Sequence, residues 1–104
     1  VEKGAVVRDS VIMNDTVIRA GAVVDRCVMD KNIEVGANAR VGTGTDDPPN
    51  KLEPANINTG ITIVGKGAHI PAGAVIGRNC RIDPLTTPDD YESLEVPSGE
   101  TVRK

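Results

Sequence analysis

From Thr62 to Asp83 the chain reads T-I-V-G-K-G-A-H-I-P-A-G-A-V-I-G-R-N-C-R-I-D, and an aliphatic residue falls at every sixth position: Val64, Ile70, Ile76 and Ile82. A small residue stands two places before each: Thr62, Ala68, Ala74 and Cys80. Glycine, proline or aspartate follows each aliphatic. This is not a helical period, and it is too short for long alternating strands. It predicts a short strand and a turn, repeated, which is the hexapeptide pattern of a parallel β-helix. Residues two apart on a strand share a face, so each strand offers one small and one large group to a narrow core. The strands of a β-sandwich would be longer and spaced eight to twelve residues apart.

Carried backwards, the register places inward aliphatics at Val1, Val7, Met13, Ile18, Val24, Met29, Val35 and Val41. Their inward partners are Ala5, Val11, Thr16, Ala22, Cys27, Ile33 and Ala39. Most steps are six residues; Met13 to Ile18 and Val24 to Met29 are five, as if a turn were shortened. Three repeats make one triangular coil. Val7, Val24, Val41 and Ile76 then stack on a first face, Met13, Met29, Val64 and Ile82 on a second, and Ile18, Val35 and Ile70 on a third. The expected fold is therefore all-β, a solenoid over residues 1–83. Residues 42–58, rich in Pro, Asp and Gly, leave it as one long loop. A loop of this length is often functional, and a passive insertion fits as well. Residues 84–104 are polar and turn-rich and are expected to cap the solenoid end, with a helical turn near Tyr91 to Leu94.

Composition supports a solenoid over an ordinary globule. The 104 residues suit one domain and contain a single aromatic, Tyr91. The net charge of −3 argues against general nucleic-acid binding. No apolar run approaches the roughly 20 residues that span a bilayer, and no signal peptide is visible. Cys27 and Cys80 occupy inward slots with Thr62 between them, so they are expected as free, buried thiols, with a cytoplasmic setting. Since Val1 already lies in the repeat, a piece of a longer protein is expected.

The face assignment also brings side chains together. The corner from second to third face carries Asp15, Lys31 and Lys66 in successive coils, about 4.8 Å apart. Two ammonium groups so placed repel by on the order of 1 kcal/mol in water, which a phosphorylated anion would relieve. Two solvated lysines that splay apart fit the same spacing. Arg8, Arg26 and Arg78 line the corner from first to second face, as a basic rim or a solvated edge. Outward positions are apolar over several coils: Val6, Val23 and Val75, with Arg40, on the first face, and Ile12, Val28 and Ile63, then Arg81, on the second. Such rows partly reflect strand propensity and suggest a surface that meets another domain or subunit. His69, the only histidine, falls outward on the third face. It fits a surface residue or the base of a hexapeptide acyltransferase, and one histidine cannot build a multi-histidine metal site. The Gly60–Lys66 string imitates a phosphate loop but has Gly67 where Ser or Thr belongs, and no helix follows. Asn14-Asp15-Thr16 matches a glycosylation sequon and reads better as a turn.

Two segments point to a family. M-D-K-N-I-E-V-G-A-N-A-R-V-G, a long loop, and then N-T-G-I-T-I-V-G-K-G-A-H-I-P-A-G-A-V-I-G resemble the C-terminal domain of ADP-glucose pyrophosphorylases (glucose-1-phosphate adenylyltransferases), over most of the chain. The resemblance implies a left-handed β-helix. It implies a parent enzyme that makes ADP-glucose and pyrophosphate from ATP and glucose 1-phosphate with Mg2+, for glycogen or starch synthesis. It also implies a homotetramer under allosteric control by phosphorylated metabolites, and an N-terminal catalytic domain in the same chain. Two lysines of this domain bind the activator in the plant and cyanobacterial members, and the matching segments carry that role onto Lys31 and Lys66. Gly65 and Gly67 depart from the bulkier neighbours usual there. No glycine-rich nucleotide loop is present, so no catalytic residue, metal or cofactor is expected within these residues.

Overall fold

The computed structural model describes residues 2–45 and 48–104. Thirteen short strands follow in chain order. They are β1 (Val6–Arg8), β2 (Val11–Ile12), β3 (Val17–Ile18), β4 (Val23–Asp25), β5 (Cys27–Met29), β6 (Glu34–Val35), β7 (Arg40–Val41), β8 (Thr62–Val64), β9 (His69–Ile70), β10 (Val75–Ile76), β11 (Arg81–Ile82), β12 (Glu95–Val96) and β13 (Thr101–Val102). All pairings are parallel and join three sheets, β1-β4-β7-β10-β12, β2-β5-β8-β11-β13 and β3-β6-β9. Every third strand stacks on its predecessor until the last coil, so the chain winds as a three-sided parallel β-helix.

The inward row of each sheet is the expected one on two faces. Val7, Val24, Val41 and Ile76 pair in sequence on the first, and Ile18, Val35 and Ile70 on the third. Between them run Ala22, Ile33, Ala39, Ala68 and Ala74, all buried in one continuous core. Fixing one residue's backbone costs about 1–2 kcal/mol, while a fully buried Val or Ile returns about 1.5–3 kcal/mol. One six-residue side with one such aliphatic is therefore unstable alone; rungs hold only when stacked.

On the second face the first coil is one residue out of the expected register. Ile12, not Met13, pairs with Met29, and Val11 pairs with outward Val28. Met13 is 43% exposed and Val11 57%, so neither is the inward residue. The shortened turn lies between Val7 and Ile12, which repeats Val24 to Met29. Asp9 and Arg26 both take left-handed angles at the equivalent point (φ 47° and 50°). Ser10 then occupies the small inward slot, where its Oγ accepts the Cys27 N–H at 3.1 Å. Val1 lies outside the described residues.

The sheets also run on beyond Asp83, where the repeat was expected to stop. Val96 pairs with Ile76 and Val102 with Ile82, and both are buried. On the third side buried Thr86 takes the place of a strand, its carbonyl accepting the His69 N–H at 2.9 Å. The helical turn is a 3-10 turn at Pro88–Asp90, just ahead of its expected position, and the Asp90 carboxylate accepts the Thr87 N–H at 2.8 Å. Tyr91 packs against the core beside it.

The long loop, 42–61, is docked rather than free. Fully buried Asn50 donates from Nδ2 to the carbonyls of Asn79 (3.0 Å) and Glu100 (3.3 Å). Its Oδ1 accepts the N–H groups of Leu52 (2.9 Å) and Glu53 (3.0 Å). Asn79 Nδ2 donates to the Pro48 carbonyl, and the Asn79 Oδ1 accepts the Gly60 N–H. Arg78, expected on a basic rim or a solvated edge, instead donates from Nε to the Gly44 carbonyl at 2.6 Å. Asp46 and Asp47 lie outside the described residues.

Cys27 and Cys80 are free and buried, separated by Thr62 as expected. Thr62 pairs with Cys27, and its Oγ accepts the Cys80 N–H. Burial pushes the Cys27 thiol from 9.0 up to about 12, and burial raises Cys80 as well. The fold thus keeps Cys27 protonated where the unfolded chain ionises. That stability is complete below the unfolded value and is lost as pH climbs from 9.0 to about 12, by about 1.4 kcal/mol per pH unit. Urea unfolding at a series of alkaline pH values should show a shallower fall for Cys27→Ala than for the parent. Parallel slopes would contradict this burial argument.

Candidate functional site

The second-to-third corner is built from the turns that follow β2, β5, β8 and β11. From the Ile12–Met29 and Met29–Val64 pairings, Asn14, Lys31, Lys66 and Pro84 are equivalent positions. The sequence placed Asp15 beneath Lys31; with the corrected register Asn14 lies there, and Asp15 lies beneath Asn32. The residues one further on all turn through left-handed angles: Asp15 (60°), Asn32 (59°), Gly67 (74°) and Leu85 (62°). Backbone bonds tie these turns together. Asn32 N–H donates to the Asn14 carbonyl (3.4 Å), Gly67 N–H to the Lys31 carbonyl (3.0 Å) and Leu85 N–H to the Lys66 carbonyl (3.0 Å). Lys31 and Lys66 therefore stand on adjacent rungs of one corner, as the repeat spacing required, and both are exposed.

The glycines flanking Lys66 lie against the rung above. A Cβ on Gly65 would lie 2.6 Å from the Pro84 nitrogen, and one on Gly67 would lie 2.7 Å from Leu85 Cδ2. Pro84 thus excludes a side chain at Gly65, while at Gly67 the flexible Leu85 tip can yield and the left-handed angle (φ 74°) is what favours glycine. Beside Lys66 lies an open depression of about 440 Å³ lined by Asn32, Lys66, Gly67, Pro84 and Leu85. Lys31 borders the corner without lining it.

Leu85 is the residue the sequence did not bring to attention. It is 60% exposed in a conformation that costs most L-residues roughly 1 kcal/mol or more, and that Asn tolerates. Asn32 (φ 59°) shows the tolerated case two rungs away in the same column. Leu85→Asn should raise stability by roughly 1 kcal/mol in thermal melts. A lower melting temperature would mean that the Leu85–Gly67 contact outweighs the backbone strain.

The other candidates are placed as follows. His69 lies outward on the third face, with Nε2 3.5 Å from Glu34 Oε2. Glu34 also meets Arg19 Nε at 3.3 Å, and Arg19 meets Glu2 at 2.9 Å. The Arg19 hydrogen bond, with the Ala20 N–H, holds the Glu2 carboxyl below its usual range. His69 thus stands at the end of a surface ladder formed by Glu34, Arg19 and Glu2. Arg8 is 3.7 Å from Asp25 and Arg78 holds the loop, so two of the three arginines expected on the first corner are engaged. The outward apolar rows run through Val6, Val23 and Val75, interrupted by Arg40, and through Val11, Val28 and Ile63. Among the described residues there is no cluster of His, Cys, Asp and Glu that would hold a metal, and no helix long and apolar enough to cross a membrane.

With this geometry, the family described as GlmU-like, C-terminal hexapeptide matches residues 1–64. The chain belongs to that hexapeptide family. It is also 56% identical over 95 residues, 91% of its length, to a glucose-1-phosphate adenylyltransferase of Thermomicrobium roseum. To the protein of that name from Acetivibrio thermocellus it is 38% identical over all 104 residues. A third, from Ruminiclostridium cellulolyticum, is 47% identical over 58 residues, 56% of this chain and 14% of the relative. The chain spans 22% and 24% of the length of the first two relatives. No solved structure gives a significant match.

Proposed function

We propose that this chain is the regulatory and assembly part of a glucose-1-phosphate adenylyltransferase. The parent enzyme would join glucose 1-phosphate to the adenylyl group of ATP, with Mg2+, releasing pyrophosphate and ADP-glucose for glycogen or starch synthesis in the cytoplasm. The β-helix would not catalyse this step. Its tasks would be to bind a phosphorylated effector at Lys31 and Lys66 and to pack against the N-terminal catalytic domain of the same chain and against other subunits of a homotetramer. The apolar rows through Val11, Val28 and Ile63, and through Val6, Val23 and Val75, suit those contacts.

The observation that carries the reading is the Gly67-to-Lys31 backbone bond, which sets two lysines from distant segments on neighbouring rungs. Names of the relatives support the parent reaction. The acyltransferase alternative, with His69 as base beside the Glu34 carboxylate, is not favoured by the names of the relatives. The test is ADP-glucose formation by the whole enzyme, with and without phosphorylated metabolites, in the parent and with both lysines reversed in charge. A response to metabolites that survives the double reversal would remove the effector role.

A further inference from the structure

We propose that Lys104 is the third cation of this corner, extending the anion site from two rungs to a groove along the solenoid edge. This inference rests on the reading of Lys31 and Lys66 as an anion site. Val102 pairs with Ile82, so two residues on, Lys104 stands level with Pro84 in the same corner column as Lys31 and Lys66. Its Nζ donates to the Leu85 carbonyl at 3.1 Å, and Leu85 N–H in turn donates to the Lys66 carbonyl. The ammonium is thereby drawn back to the rung next to Lys66, roughly 4.8 Å along the axis. The depression beside Lys66 is floored by Gly67 and walled by Asn32, Pro84 and Leu85; Lys104 reaches it only through the Leu85 carbonyl.

The ammonium groups along this edge are free of direct ion pairs: among the described residues none of the three lysines is in one. Asp83 is turned to Arg81, meeting its Nε at 2.9 Å, while Asp30 stays beside Lys31 with Oδ1 accepting the Lys31 N–H at 2.7 Å. An ammonium anchored on a carbonyl keeps donors for a second acceptor. The exposed Leu85, held at φ 62°, is the kind of local strain found at ligand-clamping turns. The ligand this groove fits is a phosphate ester, its anionic group among the lysines and its carbon part over Leu85 and Gly67.

Inorganic phosphate, titrated calorimetrically into this chain, tests the idea. Lys104→Glu should weaken binding about tenfold and Lys104→Gln less, while Lys104→Arg keeps most of it. The difference between parent and Lys104→Glu should narrow as salt rises. Glutamine retains a donor for the Leu85 carbonyl, so equal affinity of Lys104→Gln and the parent would reduce Lys104 to a structural tie and overturn the proposal. Lys31→Glu/Lys66→Glu is the control. If that pair abolishes binding and Lys104→Glu leaves it unchanged, the two-lysine site stands and Lys104 lies outside it. If the pair leaves binding unchanged, the anion site itself is lost.

Discussion

Replacing Asn50 with leucine is expected to destabilise the chain by about 3–5 kcal/mol, since each buried polar group left unmade costs about 1–3 kcal/mol. The side chain is fully buried and holds two parts of the structure at once. Its amide nitrogen meets the carbonyls of Asn79 and Glu100, and its oxygen meets the N–H groups of Leu52 and Glu53. The Thr101 hydroxyl lies 3.2 Å from the nitrogen and 3.3 Å from the oxygen. Leucine would strand all of these while filling similar space. Against a total stability of about 5–15 kcal/mol, such a loss removes a large share. Asn50→Asp separates hydrogen bonding from shape. It keeps the acceptor and loses the donor, turning a carboxylate toward two carbonyls. Burial there raises that carboxyl above its unfolded value, so the deficit should grow as pH rises through the ordinary aspartate range. Denaturant melts at acid and neutral pH would show this widening gap, and protease cleavage in 42–61 should accelerate with it. An Asn50→Asp chain as stable as the parent at neutral pH would mean that the loop does not depend on this anchor.

That anchor was not legible in the sequence, for a physical reason. Asn50 and Asn79 sit among Pro, Gly and Asp and look like turn formers. Their burial arises only when the loop folds back over a corner formed later in the chain. The inward rows were legible because a narrow core accepts only an aliphatic and a small group at fixed spacing. That rule lost its force at Val11-Ile12-Met13, where three aliphatics in a row permit two registers. The register was decided by a Ser10 hydroxyl against the Cys27 N–H and by matching left-handed turns at Asp9 and Arg26, neither of which is visible as hydrophobicity. The last coil was hidden because Thr86, Val96 and Val102 do not keep a uniform six-residue step. The lysine pair needed only the coil count and the removal of one loop, so it was readable; Leu85 and Lys104 depend on that last coil, so they were not.

The charge pair should respond far more sharply than any stability change predicts. Two ammonium groups on adjacent rungs attract a phosphate dianion together, each by about 1 kcal/mol per unit of anionic charge at 4 Å in water and by about 4 kcal/mol per unit where the contact is partly desolvated. Reversing one charge replaces attraction by repulsion, so Lys31→Glu or Lys66→Glu alone should weaken the effector response of the whole enzyme by at least about tenfold. With both reversed, the ratio of activated to unactivated ADP-glucose synthesis should fall to about one at any attainable effector concentration. The two effects should not add, because the lysines share one ligand and one corner. Lys31→Arg should retain much of the response through charge alone, with a remainder lost to the different shape of the guanidinium. Arg8→Glu makes a change of the same size on another corner, beside Asp25, and should leave the response intact. Equal losses for Arg8→Glu and Lys31→Glu would point to the net field of the domain rather than to adjacency on one edge, and the proposed effector site at this corner would fall.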